Sequence, residues 1–200
     1  MRMIIVRHGE SEADILNVCE GRADFPLTAR GHRQAEALAA RLAREYKIGR
    51  IVASPLTRAR QTAASVAAAC GLPAALDDDL MEFNNGLVAG VDKARAGELF
   101  SRVPDVPIHA AAYEQESLLE FRFRAERALS RIMFETPAAE TVAVVSHGGM
   151  INQLFRAFLR LPVDADIRFA SGDTGLHEWT VEDGTRRIVR VNSLSHAKGI

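Results

Sequence analysis

The chain has 200 residues, 48% hydrophobic and 26% charged, with a formal net charge of −1, which suits one folded domain and excludes a disordered chain. The near-zero charge gives no general pull toward nucleic acid or anionic membrane, so neither is expected as a partner. No stretch approaches the roughly 20 apolar residues of a membrane span, the first apolar run is too short for a signal peptide, and two cysteines, Cys19 and Cys70, make neither a disulfide framework nor a zinc pattern, so a cytoplasmic setting is expected.

Met3-Ile4-Ile5-Val6 is a β-branched run that reads as a strand buried on both faces, ending at Arg7-His8-Gly9. A polar loop is expected from Gly9 to Pro26, with acids at Glu10, Glu12, Asp14, Glu20 and Asp24. Thr28 can cap a helix running to about Tyr46, with Ala35, Leu38, Ala39 and Leu42 on one stripe. Ile51-Val52-Ala53 reads as a second strand ending at Ser54-Pro55, followed by an Ala-rich helix from about Thr57 to Cys70 that stops at Gly71.

Residues 72–113 carry a weaker pattern and read as a small cap or insertion over the sheet within a single 1–200 domain. Leu80-Met81-Glu82-Phe83 suits a strand or a turn edge, Asn84-Asn85-Gly86 is turn chemistry, and a short helix fits near Lys93 to Phe100. A long helix is expected from about Glu116 to Phe134. Thr141-Val142-Ala143-Val144-Val145 is the most buried-looking strand, ends in Ser146-His147-Gly148-Gly149, and leads into a helix to about Arg160. Two more strands are expected near Leu176–Val181 and Ile188–Val191. Strands alternating with helices predict an α/β fold, a three-layer α/β/α sandwich with a largely parallel central sheet.

Alone, Arg7-His8-Gly9 is a strand end whose polar side chains face water. The pattern recurs, however: a second strand ends in His147-Gly148, and a third opens a helix whose first turn carries Arg58. In a parallel sheet these ends share one edge, where ligands bind. Two Arg and two His beside helix N-termini make a site for a dianion, most simply a phosphoryl group. A neutral imidazole among cations resists protonation and can act as nucleophile. His32, His109, His177 and His196 are read as surface or structural residues.

An ordered series of motifs then spans nearly the whole chain. It comprises Arg7-His8-Gly9-Glu10-Ser11, Gly21, Asp24, Pro26-Leu27-Thr28, Gly31, Gln34-Ala35, Ser54-Pro55-Leu56, Arg58-Ala59, Gln61-Thr62-Ala63, Leu80, Glu82, Gly86, Gly90, Glu116-Ser117 and Ser146-His147-Gly148-Gly149. In these residues the sequence resembles the histidine phosphatase superfamily, branch 1, and so a phosphoglycerate mutase-like fold is implied. The resemblance implies His8 as nucleophile forming a phosphohistidine, with Arg7, Arg58, His147 and Gly148 holding the phosphoryl group. It also implies Glu82 as the general acid that protonates the leaving alcohol and then the base that activates water. No metal and no cofactor are implied.

Two departures mark specificity candidates. Asp14 stands where most members have Asn, and Glu20 where many have Gln before Gly21. An ionised Asp14 repels a dianion, so it must turn away, pair with a cation such as Arg22, or carry a proton. After Glu82 the chain reads Phe83-Asn84-Asn85 in place of the Arg-His-Tyr run typical of true mutases, which makes Phe83 and Asn84 specificity candidates too, and Gln115 stands where Gly is usual. The expected function is a metal-independent phosphomonoesterase acting on a small phosphate ester. The alternatives are a cofactor-dependent phosphoglycerate mutase and a phosphate-binding or phosphoprotein-interaction module without turnover. The substrate and the oligomeric state are not readable from the residues.

Overall fold

A computed structural model of the protein describes residues 1–101 and 103–200. In chain order the elements are β1 (Arg2–Arg7), α1 (Glu12–Leu16), α2 (Ala29–Glu45), β2 (Ile48–Ala53), α3 (Thr57–Cys70), β3 (Ala74–Leu76), α4 (Lys93–Leu99), α5 (Leu118–Glu135), β4 (Thr141–Ser146), α6 (Gly148–Phe158), β5 (Leu176–Glu182) and β6 (Thr185–Ser193). The six strands form one sheet in the order β3-β2-β4-β1-β5-β6. The first four are parallel, and β5 and β6 are added antiparallel. The expected fold class is therefore observed.

The strand period of two splits β1 between two cores. Ile4 and Val6 pack with Leu38, Ala39 and Leu42 of α2 and Val66 of α3. Met3 and Ile5 pack on the other face with Phe121, Leu129 and Ile132 of α5 and Leu154, Phe155 and Phe158 of α6. Strands buried on both faces need apolar residues at every position, and for that reason the runs in β1 and β4 lack alternation. Thr28 accepts a hydrogen bond from the Gly31 N–H at 2.9 Å and starts α2. Gly71 takes the left-handed conformation (φ 67°) that ends α3.

Several boundaries differ from the expectation. The 9–26 loop contains a short helix, α1, capped by Ser11. The segment 72–113 begins with β3, which pairs with β2 as the sheet's edge strand; the start of this stretch belongs to the sheet. Leu80 to Phe83 forms no strand: Asp78–Leu80 is a single 3₁₀ turn, and Glu82 follows it in irregular backbone. Ser117, with a capping box to Glu120, starts α5 at Leu118 rather than at Glu116.

Candidate active site

Register fixes the site. Arg7 lies opposite Ser146 in the β1–β4 ladder, so His8 and His147 leave the sheet side by side. Their rings are 5.1 Å apart between centroids. β2 ends beside them, and the Ser54 N–H donates to the Val145 carbonyl. Arg58, in the first turn of α3, reaches back into the same crevice. The sheet edge predicted from the three strand ends is thus a real meeting place.

His8 is 1% exposed. Its Nδ1 lies 2.7 Å from the Gly9 carbonyl, which can only accept, so Nδ1 carries the proton and Nε2 a lone pair. Arg58 Nε donates toward that lone pair at 3.3 Å. The remaining Arg58 nitrogens donate to Ala23 and Gly21 carbonyls at 3.1 and 2.7 Å. Gly21 is required there: its φ is +49°, and a Cβ would lie 1.7 Å from Asn85 Oδ1. Arg58 has no exposed surface, and the end of β1 and the 21–23 loop hold its fork in one orientation.

Arg7 donates to the Ser171 carbonyl at 2.9 Å and pairs with Asp173 at 3.3 Å. Its Nε is buried and unpartnered. Ser171 is braced in turn by His177, which is completely buried; its Nδ1 accepts from the Asn192 N–H, leaving Nε2–H for Ser171 Oγ at 2.9 Å. His177 is a structural residue, as expected, with the task of fixing the loop that holds Arg7. His147 Nε2 sits 2.7 Å from Ser54 Oγ, which also accepts from the Leu56 N–H. When the Ser54 hydroxyl gives its proton to Nε2, His147 keeps a proton on Nδ1, a buried nitrogen without a partner.

Glu82 sits on the N-terminus of α6. Oε2 accepts from the Gly149 N–H at 2.8 Å, and Oε1 accepts from the Met150 and Phe83 N–H groups at 3.1 and 2.8 Å. Helix N-termini attract carboxylates in this way. Gly149 makes room, since a Cβ there would lie 2.4 Å from Glu82 Oε1. A carboxylate has about four acceptor positions; three are used, and the one left is on Oε2.

The specificity candidates fare differently. Asp14 does not pair with Arg22. Its Oδ2 accepts from Ser11 N–H and Oγ, closing the capping box of α1, and its Oδ1 is 3.8 Å from Arg7. Arg22 instead faces Glu116 at 3.8 Å and the Glu82 carbonyl. Asn84 turns to Glu116, whose Oε1 accepts the Asn84 N–H at 2.6 Å. Phe83 packs edge-on against Phe121 and, with Ala96, Phe100, Ile108 and Leu118, lines a cavity of about 550 Å³. Glu20 lies inside the crevice: its Oε1 is 3.1 Å from Arg58 Nε and its Oε2 3.8 Å from His8 Nε2. Gly148 is the first residue of α6, beside Arg7.

Asp173 and Ser171, which hold Arg7, were not expected from the sequence; Thr62, expected only as part of a motif, accepts the Gly9 N–H at 3.1 Å. A polar run before β5, Ser171-Gly172-Asp173-Thr174, was the available signal. Among the described residues, no three His, Cys, Asp or Glu side chains converge as a metal-ligand set, and no helix is long and apolar enough to cross a membrane.

Burial, then Arg58 and Arg7, holds the His8 imidazole well below the usual histidine range. Burial, then Arg58 and His8, does the same for His147. Burial alone pushes His177 down to about 4. All three are neutral at pH 7, and unfolding frees them to take up protons near pH 6.5. The stability they contribute is therefore present above pH 6.5 and lost as pH falls below it. At about 1.4 kcal/mol per unit for each histidine, these three should cost roughly 4 kcal/mol between pH 7.5 and 5.5, and the half-buried His196, which burial and Arg41 push down to about 4, adds in the same direction. Glu20 and Asp173, whose carboxyls burial pushes up, offset part of that loss. Urea unfolding across this range should show a falling midpoint; a constant midpoint down to pH 5.5 would contradict the buried neutral state.

The fold and the crevice define an α/β protein with two histidines and two arginines gathered at one edge of the sheet. The chain belongs to the histidine phosphatase superfamily (branch 1), whose family model matches residues 3–194. It is 34% identical over 176 residues to a protein of Escherichia fergusonii named "Probable phosphoglycerate mutase GpmB", covering 84% of this chain and 79% of the relative. The Bacillus stearothermophilus YhfR structure superposes with a TM-score of 0.85 at 25% identity, covering 98% of this chain and 99% of that one. A mycobacterial glucosyl-3-phosphoglycerate phosphatase complexed with VO3 superposes with a TM-score of 0.81 at 25% identity, covering 96% and 98%. The first of these relatives is named a mutase and the last a phosphatase.

Proposed function

We propose that the protein is a phosphomonoesterase that hydrolyses small phosphorylated metabolites through a phosphohistidine on His8. The observation that carries this reading is the His8 tautomer: Nδ1–H is tied to the Gly9 carbonyl, and the Nε2 lone pair faces Arg58. Nε2 attacks phosphorus, and the P–O ester bond breaks with its electron pair passing to the leaving oxygen. Glu82, from Oε2, supplies the proton that makes this an alcohol. Arg7, Arg58 and the His147 Nδ1–H hold the phosphoryl oxygens, and this charge stabilisation needs no metal. Water then attacks the phosphohistidine, Glu82 takes its proton, and the P–N electrons return to Nε2. The alcohol portion of the substrate is seated toward the cavity lined by Phe83 and Glu116.

A phosphoglycerate mutase is the second reading, favoured by the curated relatives' name. It must hold a second phosphate or a carboxylate beside the reacting group. The described arginines around the crevice are already matched to carboxylates: Arg7 to Asp14 and Asp173, Arg22 to Glu116, Arg30 to Glu10, Arg58 to Glu20. This pairing supports hydrolysis of monophosphates. The test is incubation with 3-phosphoglycerate plus catalytic 2,3-bisphosphoglycerate, alongside an aryl phosphate and a panel of monophosphates. Free phosphate from the monophosphates without isomerisation is the expected result; isomerisation outpacing phosphate release would make it a mutase. No reaction with any of them would leave a binding module.

A further inference from the structure

The Glu20 carboxylate occupies the place where an entering phosphoryl group must go. Oε1 forms an ion pair with Arg58, 3.1 Å from its Nε, and Oε2 stands 3.8 Å from the lone pair of His8 Nε2. A reacting phosphorus has to come within roughly 3–3.5 Å of that nitrogen, a position the carboxylate now fills. We propose that Glu20 is a built-in competitor of the phosphoryl group, bound to Arg58 over the nucleophile in the resting enzyme and discharged by a proton when an oxyanion enters. The inference rests on the phosphoryl-site reading above and concerns how that site is regulated.

The groups that face Glu20 come from three elements and one loop. They are Arg58 of α3, Arg7 and His8 at the end of β1, Asp14 of α1, and Ser11 ahead of it. The arginines and the Ser11 hydroxyl favour its charge; burial and Asp14 oppose it. The Ser11 hydroxyl lies 2.6 Å from Glu20 Oε1 and 3.0 Å from Asp14 Oδ2. One hydroxyl has one proton to give, and it meets two carboxyl groups. The 2.6 Å O···O separation is the length of a charge-assisted bond to an ionised Glu20, the resting state, and a further proton would complete the set when that charge is opposed. Burial pushes the Glu20 carboxyl up against the pull of Arg58 and Ser11. An incoming dianion, a few ångströms away, pushes it further in the same direction. Oxyanion entry therefore draws in a proton, and it weakens as pH rises and Glu20 holds its charge.

Sulfate is a suitable probe because it is a tetrahedral dianion with constant charge from pH 5.5 to 8.5. Calorimetric titration is compared for wild type, Glu20→Gln and Glu20→Ala. At pH 8.5 both variants should bind sulfate at least about tenfold more tightly than wild type, since an ionised carboxylate has left the site. At pH 5.5 the gain of the variants over wild type should shrink by at least about threefold. Equal affinity at pH 8.5 would overturn the proposal. So would a gain of the same size at both pH values, because a Gln amide that merely adds a donor is indifferent to pH. Glu20→Ala adds no donor and keeps the test open if Glu20→Gln fails to fold. Sulfate binding does not depend on turnover, so an absence of phosphatase activity would strike the proposed function and leave this inference standing.

Discussion

His8→Ala is expected to lose turnover by on the order of 10⁴-fold or more, since removal of a covalent nucleophile leaves only binding and charge stabilisation. No neighbouring group can take over. His147 is engaged at Nε2 by Ser54, and Glu82 is spread over three backbone amides. Wild type quenched during turnover should carry acid-labile, base-stable phosphate, and the variant none. The variant should fold. Its missing ring leaves Arg58 held by the Gly21 and Ala23 carbonyls, and one buried imidazole fewer must stay neutral. That second point gives an independent mark: His8→Ala should lose less stability than wild type between pH 7.5 and 5.5, by about 1.4 kcal/mol. Full activity in the variant would end the phosphohistidine mechanism.

Much of this site was legible because its strands announce themselves. Met3–Val6 and Thr141–Val145 are unbroken apolar runs, and a buried parallel strand must be apolar at every position. Their ends then fix where Arg7, His8 and His147 meet, whatever the loops do. The elements that escaped are those too short to show a period. β3 is Ala-Ala-Leu, largely exposed at the sheet edge, with no β-branched residue to mark it. α1 has five residues, and its capping box, Ser11 with Asp14, hid inside what reads as a polar loop. Of the outcomes open to Asp14, the cation it faces is Arg7 and not Arg22: helical geometry turns it back onto Ser11 and toward Arg7, while Arg22 lies with Glu116. Glu20 and Asp173 show the larger limit. Both act on arginines far away in sequence, and both arrive on irregular backbone whose path is set by tertiary contacts such as the Cys19–Val91 and Thr174–His8 hydrogen bonds. Periodicity carries no information about such reach.

Glu82→Gln should separate the two halves of the reaction. A Gln at this position can accept at one atom only, and its NH₂ would face an N–H of the α6 N-terminus. The mismatch costs about 1 kcal/mol, which a folded domain survives. The chemical cost depends on the leaving group. An alkoxide is a poor leaving group and needs the proton that Glu82 gives, so alkyl phosphates should lose roughly 10²–10⁴-fold. A nitrophenolate leaves unaided. With 4-nitrophenyl phosphate, Glu82→Gln should therefore release a rapid burst of about one equivalent of nitrophenol. Slow turnover should follow, because the water that clears the phosphohistidine has lost its base. The phosphoenzyme should accumulate in the variant and be scarce in wild type. This outcome also ties the helix to the chemistry. Oε2 of Glu82 is held by one amide only, Gly149 N–H, so it is the oxygen free to carry the proton, while Oε1, bonded to Met150 and Phe83, anchors the group. If the burst vanished together with alkyl turnover, by the same factor, Glu82 would be a structural cap of α6 and the acid would have to be sought elsewhere in the crevice.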